Sequence, residues 1–548
     1  MRSDVGASLF YLTRLKRQEL NRLNGGALRR LHGDTKSAAP VSLAVSGRYL
    51  CRRCRRMVPL AETRRQYASL PSIGNVQIAV EYVTYPTKER EMPAIDNIDM
   101  FVVLMLENRS FDHMLGYLSL TGGNANGLSS DPAWLNNFTN VYAGQSYPVH
   151  RLGPDVTSIP DPPHDRAPIA TQINTPCAPG GCPELGGFVQ SYATRAIPAP
   201  NLADVMGYYD AAALPTFDFL ARHYTVCDNW FAPLPSGTQA NRLMAMAGDS
   251  AVSDNVQGLS FIPDQPLVYD WLRERGIPWC VYQSGSFFPF FSLMKKWLPE
   301  IITSLTLPHD DVGGSFRRYA RFAADWQSNA IMPKVIFIEP EYTDGPHFNA
   351  NDDHCPTGIA GGQAFVADVY RTLTSNPDRW KNTLLIVTYD EHGGFFDHVS
   401  PLPIAANVAG FPFETTGLRV PAVLVSPYVT AGGVFSGKLD HTAILQLLAE
   451  KLDSNGTYSP AVSARNSHLD RLSSALNVAP VAEAPPALSG NTGATFNAPF
   501  NVPLKTGQSG SNQGFHAVAL QVARDHPHLL MSPQWADLAQ YVTTYGKH

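Results

Sequence analysis

The sequence predicts an α/β protein built on a mainly parallel sheet flanked by helices. Three observations carry that reading. From residue 95 onward, short apolar runs rich in Val, Ile, Leu and Phe alternate with longer stretches of helical period, the pattern of βαβ units. Two of the runs, 98–106 and 383–389, end abruptly in acids, as buried strands do when they deliver ligands to the carboxyl edge of an open sheet. Finally, 548 residues with 44% hydrophobic and 10% aromatic content are enough for at least one large core.

Residues 1–94 show little periodicity and end in the polar, proline-containing stretch YPTKEREMP, so they are read as a poorly ordered arm and linker. The catalytic body is expected over 95–455. Its strands are predicted at 98–106, 223–227, 277–282, 333–339, 383–389 and 419–427, with helices between them at 215–222, 239–247, 266–275, 361–375 and 441–452. Residues 456–548 are richer in Pro, Ser, Ala and Asn, with a weakly structured stretch at about 478–512. A last amphipathic helix, 514–545, is expected to dock on the body.

The net charge of -5 hides an asymmetry. Residues 1–66 hold 15 Lys/Arg against 4 Asp/Glu, a net +11, and the remainder holds 27 against 43, a net -16. An acidic body argues against a nucleic-acid partner, which needs a basic face, and favours carboxylates gathered around a cation. In the arm, Arg29, Arg30, Arg52, Arg53, Arg55, Arg56, Arg64 and Arg65 are read first as part of a solvated tail, and second as a patch for anionic surfaces. No signal-peptide pattern and no apolar run of membrane-spanning length is visible, so a soluble protein is expected. The C-x-x-C of Cys51 and Cys54 lacks a second ligand pair and is read as incidental, while Cys177 and Cys182 could close a small loop in an oxidising environment.

Four polar clusters carry candidate chemistry, each with a plainer reading. Glu107 and Asn108 follow the first strand and could simply cap a helix. Asp390, Glu391 and His392, with Asp397 and His398 close behind, place adjacent carboxylates that repel one another unless a cation or proton lies between them. Asn351, Asp352, Asp353 and His354 follow the strand ending at Glu339. In the run 235–242, Thr238 follows a glycine and opens a helix, either as an ordinary cap or where free N–H groups receive an anion. Together the clusters support a hydroxyl nucleophile acting on phosphorus beside a metal ion. A threonine hydroxyl is too weakly acidic to attack unaided, and amide, histidine and helix-end donors can neutralise phosphoryl oxygens.

The strings ENRSFDH (107–113), DPPH (161–164), GYYDAAALPTFDFLARHYTVCDNWF (207–231), NDDH (351–354), TYDEHGGFFDHV (388–399), RVPAVLVSPYV and LDHTAILQLL (439–448) resemble, in order, the phosphoesterase family of bacterial phospholipases C and related acid phosphatases. The resemblance implies an alkaline-phosphatase-like fold and a metal-dependent phosphoesterase with a Ser or Thr nucleophile. It implies that Thr238 is that nucleophile and that Glu107, Asn108, Asp390 and Glu391 hold the metal: calcium, magnesium, manganese or zinc. It also implies that His164 and His354, one of them the acid for the leaving oxygen, line the phosphate pocket with Asp353. Asn108, Asn241 and Arg242 are expected to bind substrate there as well. Secretion or a periplasmic location is a further implication, although no leader is visible.

Three departures stand out: Ala240 and Cys355 where the family usually has Pro, and Gln363 where Glu is common. None removes an expected ligand or the nucleophile. With only about 95 residues after the body, a phosphatase-like or broad phosphoesterase role is expected ahead of a phospholipase C acting on phospholipid head groups. A sulfatase of the same superfold would need a C-x-P-x-R setting, which neither Cys177 nor Cys355 provides. A non-catalytic binding protein on this scaffold is the third reading, disfavoured because ligands and nucleophile are all present. Oligomeric state is left open.

Overall fold

The computed structural model describes residues 93–546 apart from 154–155, 157, 257–259, 285–287, 307–314, 329–331, 344–349, 482–483 and 489–509, together with two backbone segments nearer the amino terminus. The chain divides into two units, 1–91 and 92–548. In the first unit, Arg64–Ser69 pairs antiparallel with Ala79–Thr84, a hairpin that the arm's lack of periodicity did not announce. Cys51, Cys54 and the arginines of the arm up to Arg56 lie outside the described residues, as does most of the stretch expected to be weakly structured before 512.

The second unit is built on an eight-stranded sheet. Its strands are β1 (Met100–Leu106), β2 (Thr225–Cys227), β3 (Trp279–Gln283), β4 (Phe316–Arg318), β5 (Val335–Glu339), β6 (Thr383–Tyr389), β7 (Ala422–Val425) and β8 (Gly433–Phe435). In space the order is β4-β3-β5-β1-β6-β7-β2-β8, and all but β7 run the same way. The six expected strands all lie in this sheet. The two edge strands β4 and β8 were not foreseen, because three residues are too few to display a period. Every residue of β6 is buried, as expected for a strand covered on both faces by crossover helices.

Those helices include α1 (Arg166–Asn174), α2 (Pro215–His223), α3 (Thr238–Ala247), α4 (Val268–Glu274), α5 (Ala360–Thr374) and α6 (Thr442–Leu452). The departure at Gln363 has a local explanation: its Oε1 accepts from the Thr216 and Phe217 N–H groups at 2.9 and 3.3 Å. The amide oxygen thus caps α2, a task that needs an acceptor but no charge. In place of the single carboxyl-terminal helix expected over 514–545, the structure has α7 (Gly510–Asp525) and α8 (Ala536–Tyr545). Pro527 and Pro533 open the two short 3₁₀ turns between them, since proline cannot supply the N–H that would continue a helix. Cys177 and Cys182 are free thiols whose segments are joined by a backbone hydrogen bond of 2.9 Å.

Because β1 and β6 are parallel neighbours in register, with Leu106 opposite Tyr389, the segments after them leave the sheet side by side. A buried ionic group ties those exits together. The Arg419 Nε lies 2.9 Å from Asp397 Oδ1 and its Nη2 lies 3.0 Å from Asp112 Oδ1, while Nη1 donates to the carbonyls of Asn126 and Asp228. His398 Nδ1 completes it, 2.6 Å from Asp112 Oδ2. Removing Arg419 would leave two buried carboxylates without their counter-charge. Arg419→Met should therefore lower stability by about 3–5 kcal/mol in urea denaturation. Arg222→Ala, which breaks an exposed pair with Asp218, should cost less than about 1 kcal/mol. A loss at Arg419 no larger than at Arg222 would contradict this account.

Candidate active site

Each acidic ligand candidate is pinned by one oxygen and free at the other. Asp390 Oδ1 accepts from the N–H groups of Asn108 and Glu391 at 2.9 and 2.7 Å. Glu391 Oε2 accepts from the Gly393 N–H at 2.8 Å. Glu107 Oε2 faces His354 Nδ1 at 3.2 Å. Glu107 Oε1, Asp390 Oδ2 and Glu391 Oε1 are buried without hydrogen-bond partners. The backbone that makes this possible is unusual. Asn108 has a φ of 63°, and Gly393 a φ of 66° with the Asn108 carbonyl so close that a Cβ on Gly393 would lie 2.0 Å from its oxygen. Glycine is thus required in the DEHGG turn by both conformation and contact.

A second layer surrounds these oxygens. His354 stands between Glu107 and Asp161, its Nε2 3.5 Å from Asp161 Oδ1, and neither ring nitrogen has a hydrogen-bond partner. His164 is 5.4 Å away centroid to centroid, with Nδ1 2.6 Å from the Pro162 carbonyl and Nε2 3.0 Å from Asn108 Nδ2. Burial works against protonating either imidazole, but the facing carboxylates outweigh it. His164, with Asp161 and Glu391 nearby, is pushed up to about 9, and His354, beside Asp161 and Glu107, is raised well above the ordinary value. Burial and the Glu107 charge raise Asp352 strongly, and burial with Glu107 and Glu391 raises Asp390 to about 7. For Glu107, burial is overcome by Arg242 and His354, and its carboxyl is held below the usual range.

Thr238 enters from the other side. Gly237 occupies the N-cap position of α3 without a side-chain cap, so the Thr238 hydroxyl is spared that role. It is fully buried and donates to Asn108 Oδ1 at 3.3 Å. Arg242, one turn further along α3, places Nε 3.3 Å from Glu107 Oε1 and 3.8 Å from Asp390 Oδ2. Asn241 has a different use: its side-chain amide binds the Leu234, Ser236 and Gly237 backbone and shapes the loop that leads to Thr238.

The structure redistributes several other candidates. Asp353 turns its carboxyl to the Tyr389 hydroxyl at 2.6 Å, and its neighbour Asp352 comes together with Glu107 and His354 instead. Asp397 and His398, read with Asp390–His392 as one cluster, belong to the Arg419 group. Glu107 and Asn108 cap no helix. Asp161 was visible within the DPPH string but not singled out, and Asp352 was read within the 351–354 cluster without a role of its own. His441 carried no signal beyond its string. Its Nε2–H donates to the Asp390 carbonyl at 2.7 Å while Nδ1 accepts from the Trp230 indole at 2.9 Å, which fixes the neutral tautomer. Burial lowers its pKa to about 4 although the contact with the Asp390 carbonyl works the other way.

The charge balance tests whether a cation fits. Glu107, Asp352, Asp390 and Glu391 are buried, Asp161 lies beside them and Glu339 shares Arg242, so carboxylates outnumber the three cationic groups Arg242, His164 and His354. The excess of carboxylates, together with buried carboxylate oxygens that lack hydrogen bonds, fits a divalent cation with hard oxygen ligands. Burial first, and the Glu107 charge after it, raise Asp352 and Asp390.

Comparison with known proteins adds independent findings. The profile of the Phosphoesterase family matches residues 98–453. Non-specific phospholipase C1 of Arabidopsis thaliana is 34% identical over 351 residues, 62% of each chain, and non-specific phospholipase C3 of the same plant is 32% identical over 357 residues, 62% of this chain and 64% of its own. This chain therefore spans under two thirds of the plant relatives' length. Phospholipase C A of Mycobacterium tuberculosis (strain ATCC 25618 / H37Rv) is 31% identical over 428 residues, 70% of this chain and 78% of that one. Among solved structures, the lipoteichoic acid synthase LtaP from Listeria monocytogenes overlaps at TM-score 0.30 and 11% identity, over 69% of this chain and 78% of that one. An alkaline phosphatase superfamily protein from Vibrio parahaemolyticus overlaps at TM-score 0.27 and 13% identity, over 46% and 62%. Overlaps this slight bear on nothing further.

Cation binding should be measurable without turnover. Asp390→Asn and Glu391→Gln should each weaken Mn²⁺ binding to ion-stripped protein by about 10²-fold or more in calorimetry. Because the cation must displace the proton that Asp390 holds up to about pH 7, affinity should also fall as pH drops below that value, by up to about tenfold per unit. An affinity that stays flat between about pH 5.5 and 8 would contradict the assignment.

Proposed function

The chain belongs to the Phosphoesterase family, and from that membership we propose that it hydrolyses phosphate esters through a covalent intermediate on Thr238. The observation that carries this reading is the placement of a buried, non-capping threonine hydroxyl against Asn108, beside three carboxylates that each keep one oxygen free. Glu107, Asn108, Asp390 and Glu391 would hold a divalent cation, whose charge lowers the pKa of a nearby hydroxyl and neutralises phosphoryl oxygens.

The chain's own groups then divide the work. The Thr238 hydroxyl releases its proton to solvent, its oxygen attacks phosphorus, and the bond from phosphorus to the alcohol oxygen breaks. His354, held protonated between Glu107 and Asp161, gives its proton to that leaving oxygen. His164 donates to a phosphoryl oxygen. Water then attacks phosphorus and breaks its bond to Thr238, the water proton returns to His354, and the Thr238 oxygen takes a proton from solvent to regenerate threonine. As for the substrate, the phospholipase C relatives favour a phosphodiester of a phospholipid head group, so the expectation drawn from the short carboxyl-terminal region gives way to them.

Three comparisons test the proposal. Thr238→Ala should lower turnover about 10³-fold or more with cation content and melting temperature intact, Thr238→Ser should keep measurable activity, and a quenched reaction should yield phosphorylated Thr238. Near-normal turnover in Thr238→Ala would overturn the nucleophile assignment. His354→Gln should slow a poor alkyl leaving group far more than 4-nitrophenolate, whereas His164→Gln should slow both alike. Equal losses in His354→Gln would remove its role as the acid. Phosphatidylcholine hydrolysis slower than that of a simple phosphomonoester would return the substrate class to phosphatases.

A further inference from the structure

The segment after residue 453 lies beyond the family match, yet one of its side chains reaches the wall of the site. Phe515 of α7 is buried and stacks on Tyr342, with ring centroids 5.1 Å apart and planes at 9°, and it meets Phe290 edge-on at 6.1 Å. The helix is closely seated there, since a Cβ on Gly514 would come within 3.0 Å of Leu293. Tyr342 is in turn a partner of Arg242. The guanidinium lies over the Phe290 and Tyr342 rings at 4.7 and 5.0 Å, and its Nη1 donates to the Tyr342 hydroxyl at 3.0 Å. That hydroxyl donates onward to Glu339. Nη2 is engaged by the Met105 and Leu106 carbonyls at 3.2 and 3.4 Å. So held, Arg242 turns Nε toward Glu107 and Asp390 and keeps the guanidinium from pairing with either carboxylate through two nitrogens.

We propose that Phe515 is a positioning residue: through Tyr342 it holds Arg242 so that only Nε meets Glu107 and Asp390, which limits the arginine's grip on these carboxylates and lets a divalent cation compete for them. The proposal rests on the reading of those carboxylates as cation ligands. An arginine freed in a buried acidic site would swing into bidentate pairing with a carboxylate and compete with the ion. The clamp needs a ring face opposite Tyr342, which an aliphatic side chain of similar volume does not offer.

The experiment uses the full chain, stripped of ions and titrated with Mn²⁺ by calorimetry, with a thermal midpoint recorded for each variant. Phe515→Leu should weaken Mn²⁺ binding about fivefold or more, and Phe515→Tyr, which restores a ring, should bind within about twofold of the unaltered protein. Tyr342→Phe, which keeps the ring and loses only the hydroxyl, should also weaken binding. The double variant should fall short of the product of the two single losses, because both act through Arg242. Folded Phe515→Leu with unchanged affinity, or losses that multiply fully, would overturn the proposal. Should Phe515→Leu fail to fold, unchanged affinity in Tyr342→Phe would overturn it equally. An unaltered protein that binds no Mn²⁺ would overturn the cation reading and this proposal with it, whereas failure confined to the variants would overturn this proposal alone.

Discussion

Repulsion among buried carboxylates at the ends of two neighbouring strands is the constraint on which the site depends. In a buried setting, like charges this close cannot all ionise unless something positive lies among them. The protein supplies part of the balance itself, through Arg242, His164 and His354, and leaves an excess of negative charge. It also fixes the geometry by holding one oxygen of Asp390 and of Glu391 on backbone N–H groups. That hold comes at the cost of a left-handed Asn108 and a crowded Gly393.

Such an arrangement needs rigid support, and the support comes from outside the motif strings as much as from within them. The Arg419 group locks together the two chain segments that leave β1 and β6, so that Glu107 and Asp390 cannot drift apart. His441 holds the Asp390 backbone from behind, kept neutral by burial and by the Trp230 indole at its other nitrogen. Asn241 fixes the loop before α3 and so sets where the Thr238 hydroxyl sits. Each of these groups is fully satisfied in its contacts, whereas the ligand oxygens are not. That contrast between saturated supports and unsaturated ligands separates structure from chemistry here.

The local sequence was a good guide wherever one dominant pattern governed the backbone. The six apolar runs each became a strand of one sheet because burial on both faces favours extended, apolar segments of this kind. It was a poor guide to side-chain direction in irregular segments. Asp352 and Asp353 are chemically identical neighbours, and only the positive φ of Asp353, 71°, decides that one carboxyl faces Glu107 while the other faces Tyr389. Asp397 and His398 likewise sit a few residues from Asp390 and Glu391, yet they turn to Arg419, a partner more than twenty residues along the chain.

What the sequence by itself determined was therefore the kind of protein and its chemical vocabulary: an α/β body, acids delivered at strand ends, a hydroxyl at a helix start, and strings shared with the Phosphoesterase family. These are properties of local pattern, fixed by periodicity and by residue type. Tertiary structure alone decided that Asp352 joins Glu107 and His354, that Arg242 faces Glu107, and that Phe515, beyond the family region, stacks on the Tyr342 ring beside Arg242. Such pairings join residues up to several hundred positions apart. They follow from how strands neighbour in space and how loops turn, which no local run of residues encodes.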